Sequence, residues 1–386
     1  MTRAQPVHPN AATQATRCAR GPLRLLSLVL AAAGLAGGPG VVEAQEPAGP
    51  TARPAVPAAP MFSSDDPVAF TILAPLEEIF GHRDQESEEY PGVVIVDAGM
   101  RLDTVEADIR TRGRSRLDRR VCRFPPLRLD VPRSRVEGTL FQDQDKLKLV
   151  THCRDDEEYE QGILLESLAY RVFNLLTDMS FRVRLARITY EDSEGGRDAV
   201  SRYGFLIEHE EGVAARTGWS YLPVPLVPPE ASDPEHLALL EVYQYMIGNT
   251  DWSAFSADPG SDECCHNTKP LGNPRGPVFA LPYDFDITGL VNAPYARNLY
   301  RANLQALGLR SMRDRKFRGV CTSEPHWPGI FQVLRDKRGE IEALFRDQVG
   351  LSAETRDEAL EYVGSFYAEL EDEEELLDDF REVCLG

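Results

Sequence analysis

The sequence predicts an α+β protein of two lobes, the first rich in strands and the second mainly helical, with a cleft between them. Three observations carry that prediction. Short β-branched runs fill the first half, long runs of helical apolar spacing fill the second, and no Pro-rich or Gly-rich linker interrupts the chain beyond about residue 67. Clefts between lobes are common ligand sites.

The chain of 386 residues begins with Arg17, Arg20 and Arg24 ahead of the apolar run LLSLVLAAAGLAG, and Val42-Glu43-Ala44 supplies small residues for cleavage. That is the pattern of a signal peptide over residues 1–44. The apolar run falls short of the roughly 20 residues a membrane helix needs, and LAGGPG lacks the Cys of a lipid anchor. An exported, soluble protein is expected, periplasmic or extracellular, with no integral membrane association. Residues 45–67, rich in Pro and Ala, read as a disordered linker. The first lobe is expected over 68–210 and the second over 211–386.

Net charge is −20, and removal of the signal leaves 38 basic against 61 acidic residues, or −23. That balance excludes general binding to nucleic acid and suits divalent metals or cationic partners. Six cysteines remain after cleavage: Cys122, Cys153, Cys264, Cys265, Cys321 and Cys384. In an oxidising compartment they allow three disulfides. Adjacent Cys264 and Cys265 are expected to bond to different partners.

In the first lobe, GVVIVDA, the partly alternating TVEADIRTRG and LKLVTHC read as strands. ILLESLAYRVFNLLTDM carries apolar residues at Leu164, Leu165, Leu168, Ala169, Val172, Leu175 and Leu176, the spacing of a core-facing helix. FRVRLARITY and RYGFLIE form a strand pair across the turn-rich EDSEGGRD. In the second lobe, the helix HLALLEVYQYMIGNTDWS stops at Asn249-Thr250-Asp251. A long loop follows, then the short strand VFALPYDFD, and residues 330–383 read as two or three acidic amphipathic helices.

Asp251 just beyond a helix, Asn267 in the next loop, and Asp284 and Asp286 around Phe285 form an oxygen-ligand inventory suited to Mg²⁺, which takes one or two carboxylates and completes its shell with phosphate and water. Phosphoryl transfer needs that metal, a carboxylate to orient the acceptor hydroxyl, and cations on the phosphates. Taken singly, such residues also serve as ordinary caps and turn formers. Cations are plentiful in the first lobe, where residues 110–135 hold ten arginines in an otherwise acidic chain. Lys146 and Lys148 on a strand could reach the cleft, and Glu166 on the next helix could hold one of them by ion pairing. His152-Cys153 and Cys264-Cys265-His266 lack the paired Cys-x-x-Cys spacing of a zinc site.

The ordered series TRGRSR, FPPLRLDV, KLKLVTHC, ILLESLAYRVFNLL, RYGFLIEHEE, YMIGNTDW, HN and LPYDFDITG, over roughly residues 108–292, resembles the spore coat protein H (CotH) kinase family. The resemblance implies a two-lobed protein-kinase-like fold and a secreted kinase that uses ATP and Mg²⁺ or Mn²⁺ on Ser or Thr hydroxyls of a protein substrate. It implies Asp251 as the catalytic Asp, and Asn267 with Asp284 at the metal, Asp286 being the other candidate. It places Arg112 and Ser115 near the phosphates. Where the family has a Lys in one strand, this chain has Arg128, so either Arg128 substitutes or Lys146 or Lys148 takes the role. The alternatives are a catalytically inactive binding or coat-type protein and transfer of AMP in place of phosphate.

Overall fold

A computed structural model of the chain describes residues 56–84, 87–97, 102–258, 260–273 and 275–386. The expected signal peptide and the linker up to residue 55 lie outside the described residues. Residues 56–67, which the sequence assigns to that linker, bring Met61 and Phe62 into the hydrophobic core.

The first half contains β1 (Val68–Ala74), α1 (Leu76–Gly81), β2 (Tyr90–Asp97), β3 (Leu102–Thr111), β4 (Leu127–Asp130), β5 (Lys146–Val150), α2 (Glu157–Leu176), β6 (Val183–Asp192) and β7 (Val200–Ile207). The second contains α3 (Glu210–Thr217), β8 (Ser220–Tyr221), α4 (Pro234–Met246), β9 (Thr268–Gly272), β10 (Val278–Pro282), α5 (Ala296–Leu307), α6 (Trp327–Asp347), α7 (Ala353–Glu371) and α8 (Glu373–Val383).

The two-lobed protein-kinase-like fold is not what forms. The seven strands β1 to β7 close into a mixed barrel in the order β1-β2-β3-β4-β5-β7-β6, and the second half adds a three-stranded sheet, β10-β9-β8, to its helices. Closure is the physical reason for the difference. Strand β1 pairs antiparallel with β2 on one side and parallel with β6 on the other, from Val68↔Ala186 to Ala74↔Asp192. A closed barrel leaves no strand edge unpaired.

Alternation builds the barrel wall. Along β3, Val105, Ala107 and Ile109 point inward while Thr104, Glu106 and Asp108 face out. The interior is completed by Ile72, Val94, Leu129, Leu147, Leu149, Ile188 and Leu206. Burying each such side chain contributes about 1.5–3 kcal/mol. A second core joins α2 to the later helices, uniting Leu168, Ala169, Tyr243, Phe285, Phe331 and Phe366. Helix α2 is buried on most of its surface between the barrel and α6, and Glu157, Glu158 and Glu160 suit the positive end of its dipole.

The six cysteines beyond residue 44 form three disulfides: Cys122–Cys153, Cys264–Cys265 and Cys321–Cys384. Adjacent Cys264 and Cys265 bond to each other, contrary to expectation, because the other four pair among themselves. Three disulfides fit an oxidising compartment. No helix among the described residues is long and apolar enough to cross a membrane.

Candidate functional site

Helix α4 starts on Asp233, whose side chain accepts a hydrogen bond from the His236 amide, with Pro234 in the first turn. It ends where Gly248 adopts a positive φ of 65°. A side chain there would collide with the Tyr362 hydroxyl and crowd the backbone of Gly289. This close approach lets the Gly289 amide donate to the Gly248 carbonyl at 3.1 Å and the Leu290 amide to Ile247 at 3.0 Å. The end of α4 is thereby fastened to the segment that follows Asp284 and Asp286. Buried Asn249 donates to Gln244 Oε1 at 2.9 Å and accepts from the Asp251 amide at 2.9 Å, which fixes the backbone of Asp251.

The Asp251 side chain is held from both sides. Asn267 Nδ2 donates to its carbonyl at 2.7 Å and to Oδ2 at 3.2 Å, while His266 Nε2 lies 2.8 Å from Oδ1. The other ring nitrogen of His266 faces Asp258, which also pairs with Arg114. The hydrogen bond to Asp251 is the chief reason that His266 holds its proton above the usual histidine range. The Asn267 carbonyl accepts from the Tyr283 amide at 3.0 Å, bringing Asp284 alongside.

Asp284 and Asp286 meet Glu166 of α2 around one buried guanidinium. Arg116 is 6% exposed; its Nη2 donates to Asp284 Oδ1 at 2.8 Å, Nη1 stands 3.7 Å from Glu166 Oε2, and Nε stands 3.6 Å from Asp286 Oδ2. Tyr295 donates to Asp286 Oδ2 at 2.8 Å, and the Asp284 amide donates to the Tyr170 hydroxyl at 2.8 Å. Burial raises Glu166 well above the usual carboxylate range. Burial, with Asp284 adding to it and Arg116 opposing, raises Asp286 to about 6. Burial would lower Arg116, but Tyr295 and the three acids outweigh it and keep the guanidinium charged.

A second group of cations surrounds Tyr283. Lys148 Nζ donates to Glu210 Oε1 at 2.7 Å, and the ammonium groups of Lys148 and Lys269 each lie 5.9 Å from the centre of the Tyr283 ring. Burial lowers the Lys148 pKa, with the charges of Arg112 and Lys269 contributing. The half-buried Arg112 guanidinium makes no hydrogen bond or ion pair with any described residue, although it senses the charges of Asp284 and Arg116.

The structure therefore brings together Arg112, Lys148, Glu166, Asp251, Asn267, Asp284 and Asp286. The side chains of the other three residues that the sequence places there make no hydrogen bond or ion pair with this set, although Arg128 is the cross-strand partner of Lys148 and Ser115 lies between Arg114 and Arg116. Arg128 forks onto Asp130 of its own strand at 2.7 and 2.8 Å. Lys146 is exposed and lines a separate hollow of about 1010 Å³ with His209 and Glu211. Ser115 is exposed on a short 3-10 turn. Glu166 pairs with Arg116 and not with a lysine. Sequence reasoning does not single out Arg116, His266 or Lys269. His266 carries the only signal, its place beside Asn267.

Among the described residues no three His, Cys, Asp or Glu side chains form a metal cage. An open set remains: Asn267 Oδ1 and Asp284 Oδ2 accept no hydrogen bond from any described residue, and the Asp284 side chain is 40% exposed. That pair fits a hard cation whose shell is completed by water and phosphate. Asp286 is more enclosed: Arg116 and Tyr295 both meet its Oδ2, and its Oδ1 accepts no hydrogen bond from any described residue. No family model matches the chain, and no curated protein matches it.

Proposed function

We propose that this chain is an exported phosphotransferase of the kind its resemblance to CotH kinases implies, moving the terminal phosphoryl group of ATP to a Ser or Thr hydroxyl of a protein. The observation that carries this reading is the hydrogen-bonded connection of Asp251, Asn267 and the Tyr283–Asp284 backbone beside an arginine, Arg112, that has no hydrogen-bond or ion-pair partner among the described residues. A half-buried guanidinium without a direct partner favours an anionic ligand, and its fork suits phosphate. The three disulfides support work outside the reducing cytosol.

In this reading Asp251, steadied by Asn267 and His266, orients the acceptor hydroxyl and takes its proton as the oxygen attacks the γ-phosphorus, whose bond to the β,γ-bridging oxygen breaks to release ADP. Arg112 and Lys148 hold the phosphates. Asn267 and Asp284 would hold Mg²⁺ or Mn²⁺, which would neutralise phosphate charge. Arg116 keeps Asp284 aimed and shields it from Asp286 and Glu166.

The test is the mass of generic protein acceptors, and of the chain itself, after incubation of the oxidised protein with ATP and either metal. A gain of one phosphate supports the reading. A gain of AMP, or no gain at all, overturns it.

A further inference from the structure

Lys269 belongs to none of the roles above, yet it lies beside the same group of cations. It lies on β9 opposite Leu281, and its side chain is 16% exposed. Its ammonium stands 5.9 Å from the ring centres of both Tyr221 and Tyr283. Among the described residues its only carboxylate partner is Glu263 at 3.7 Å, a side chain 61% exposed and otherwise touched by the Tyr221 hydroxyl at 3.5 Å.

The acids acting on Tyr283 are Asp284, Glu210 and Asp258, and Asp258 is already engaged by Arg114 and His266. Arg112, Lys148 and Lys269 supply three cations; Glu210 is committed to Lys148, and Glu263 is a long, exposed contact of the kind that contributes little. Asp284 is already engaged by Arg116. Partly desolvated cations without close counter-ions favour an anion. Lys148 and Lys269 both neighbour the Tyr283 ring, and the charge of Lys269 acts on Lys148. A polyphosphate chain, with charge at several points along it, fits such spaced cations better than a single small anion does.

We propose that Lys269 is a nucleotide-binding residue that exchanges its contact with Glu263 for a phosphate of the nucleoside triphosphate. This rests on the phosphotransferase reading of the site. It assigns a third phosphate-holding cation beside Arg112 and Lys148, and it gives Glu263 the part of a placeholder that leaves when ligand enters.

The experiment is titration of the oxidised protein with ATP and Mg²⁺, with adenosine as competitor, for wild type, Lys269→Met, Lys269→Arg and Glu263→Gln. Lys269→Met is expected to weaken ATP about tenfold or more, the range for a lost charge-assisted hydrogen bond, while adenosine competes as before. Lys269→Arg retains most of the affinity, and Glu263→Gln binds ATP as tightly as wild type or more so. ATP binding unchanged in Lys269→Met overturns the assignment, as does an equal loss for adenosine and ATP, which would mark a merely structural lysine. If wild type binds neither molecule, the nucleotide reading of the whole site falls with it.

Discussion

Arg116 donates to Asp284 at 2.8 Å from a side chain that is almost wholly buried, and the same guanidinium lies within 4 Å of Glu166 and Asp286. One residue of a 3-10 turn thus binds the connection between β3 and β4 to α2 and to the strand end after β10. The Cys122–Cys153 disulfide anchors the same segment near the start of α2.

Removing Arg116 leaves buried carboxylates facing each other. Arg116→Leu is expected to destabilise the fold by about 3–5 kcal/mol, the cost of breaking a buried ion pair on one side. Arg116→Lys should recover only part, since a lysine cannot present the guanidinium fork. Denaturant unfolding measures both; stability within about 1 kcal/mol of wild type for Arg116→Leu would contradict the assigned role.

Gly248 is the position where α4 and the Gly289 segment come closest. Gly248→Ala forces a side chain into the left-handed region and into Tyr362. A loss of about 1–3 kcal/mol is expected, with a fall in transfer activity larger than that in ATP affinity, because Asp251 is displaced while Arg112 and Lys148 are not. Equal falls in both would place the effect elsewhere.

Glu241 on α4 is 1% exposed, and burial lifts its carboxyl to about 7, opposed by a hydrogen bond from the Val320 amide. A carboxyl whose folded pKa is raised binds its proton more tightly in the folded state. Its protonation favours folding at low pH, and stability falls as pH climbs from its ordinary value of 4.5 towards 7. Glu241→Gln, which never ionises, is expected to match wild type near pH 5 and to exceed it near pH 8 by on the order of 2 kcal/mol. Thermal unfolding across that range checks the sign; a variant less stable than wild type at both pH values would refute it.

Cys321–Cys384 closes the C-terminal helices across a sequence separation of 63. Replacing both cysteines by Ser is expected to cost about 3–4 kcal/mol through the freed unfolded chain. ATP affinity should stay within about twofold, since no cleft residue touches this bond. A larger loss of affinity would connect the helical end to the site.

How much of this was legible in the sequence follows from the range of the interactions. The buried face of α2 and the polar stop of α4 are local patterns, readable from spacing and from Gly248-Asn249. Barrel closure is not local. It depends on β1 finding β6 more than a hundred residues away, and VAFTILA resembles any short apolar strand. The carboxylates of the site stood out because several acids near strand and helix ends are unusual. The arginine that organises them did not, since Arg116 is one of ten in its stretch and only burial separates it from Arg114 or Arg120. The Cys264–Cys265 bond was hidden for the same reason: pairing depends on where the other four cysteines fold.

The most direct measurement follows label from γ-labelled ATP, with Mg²⁺ or Mn²⁺, into protein for wild type, Asp251→Ala, Asp284→Ala and Lys146→Ala. The account predicts label in wild type and in Lys146→Ala, whose side chain lies outside the site, and none in the two aspartate variants. Label that persists in Asp251→Ala, or that disappears in Lys146→Ala as well, would contradict it.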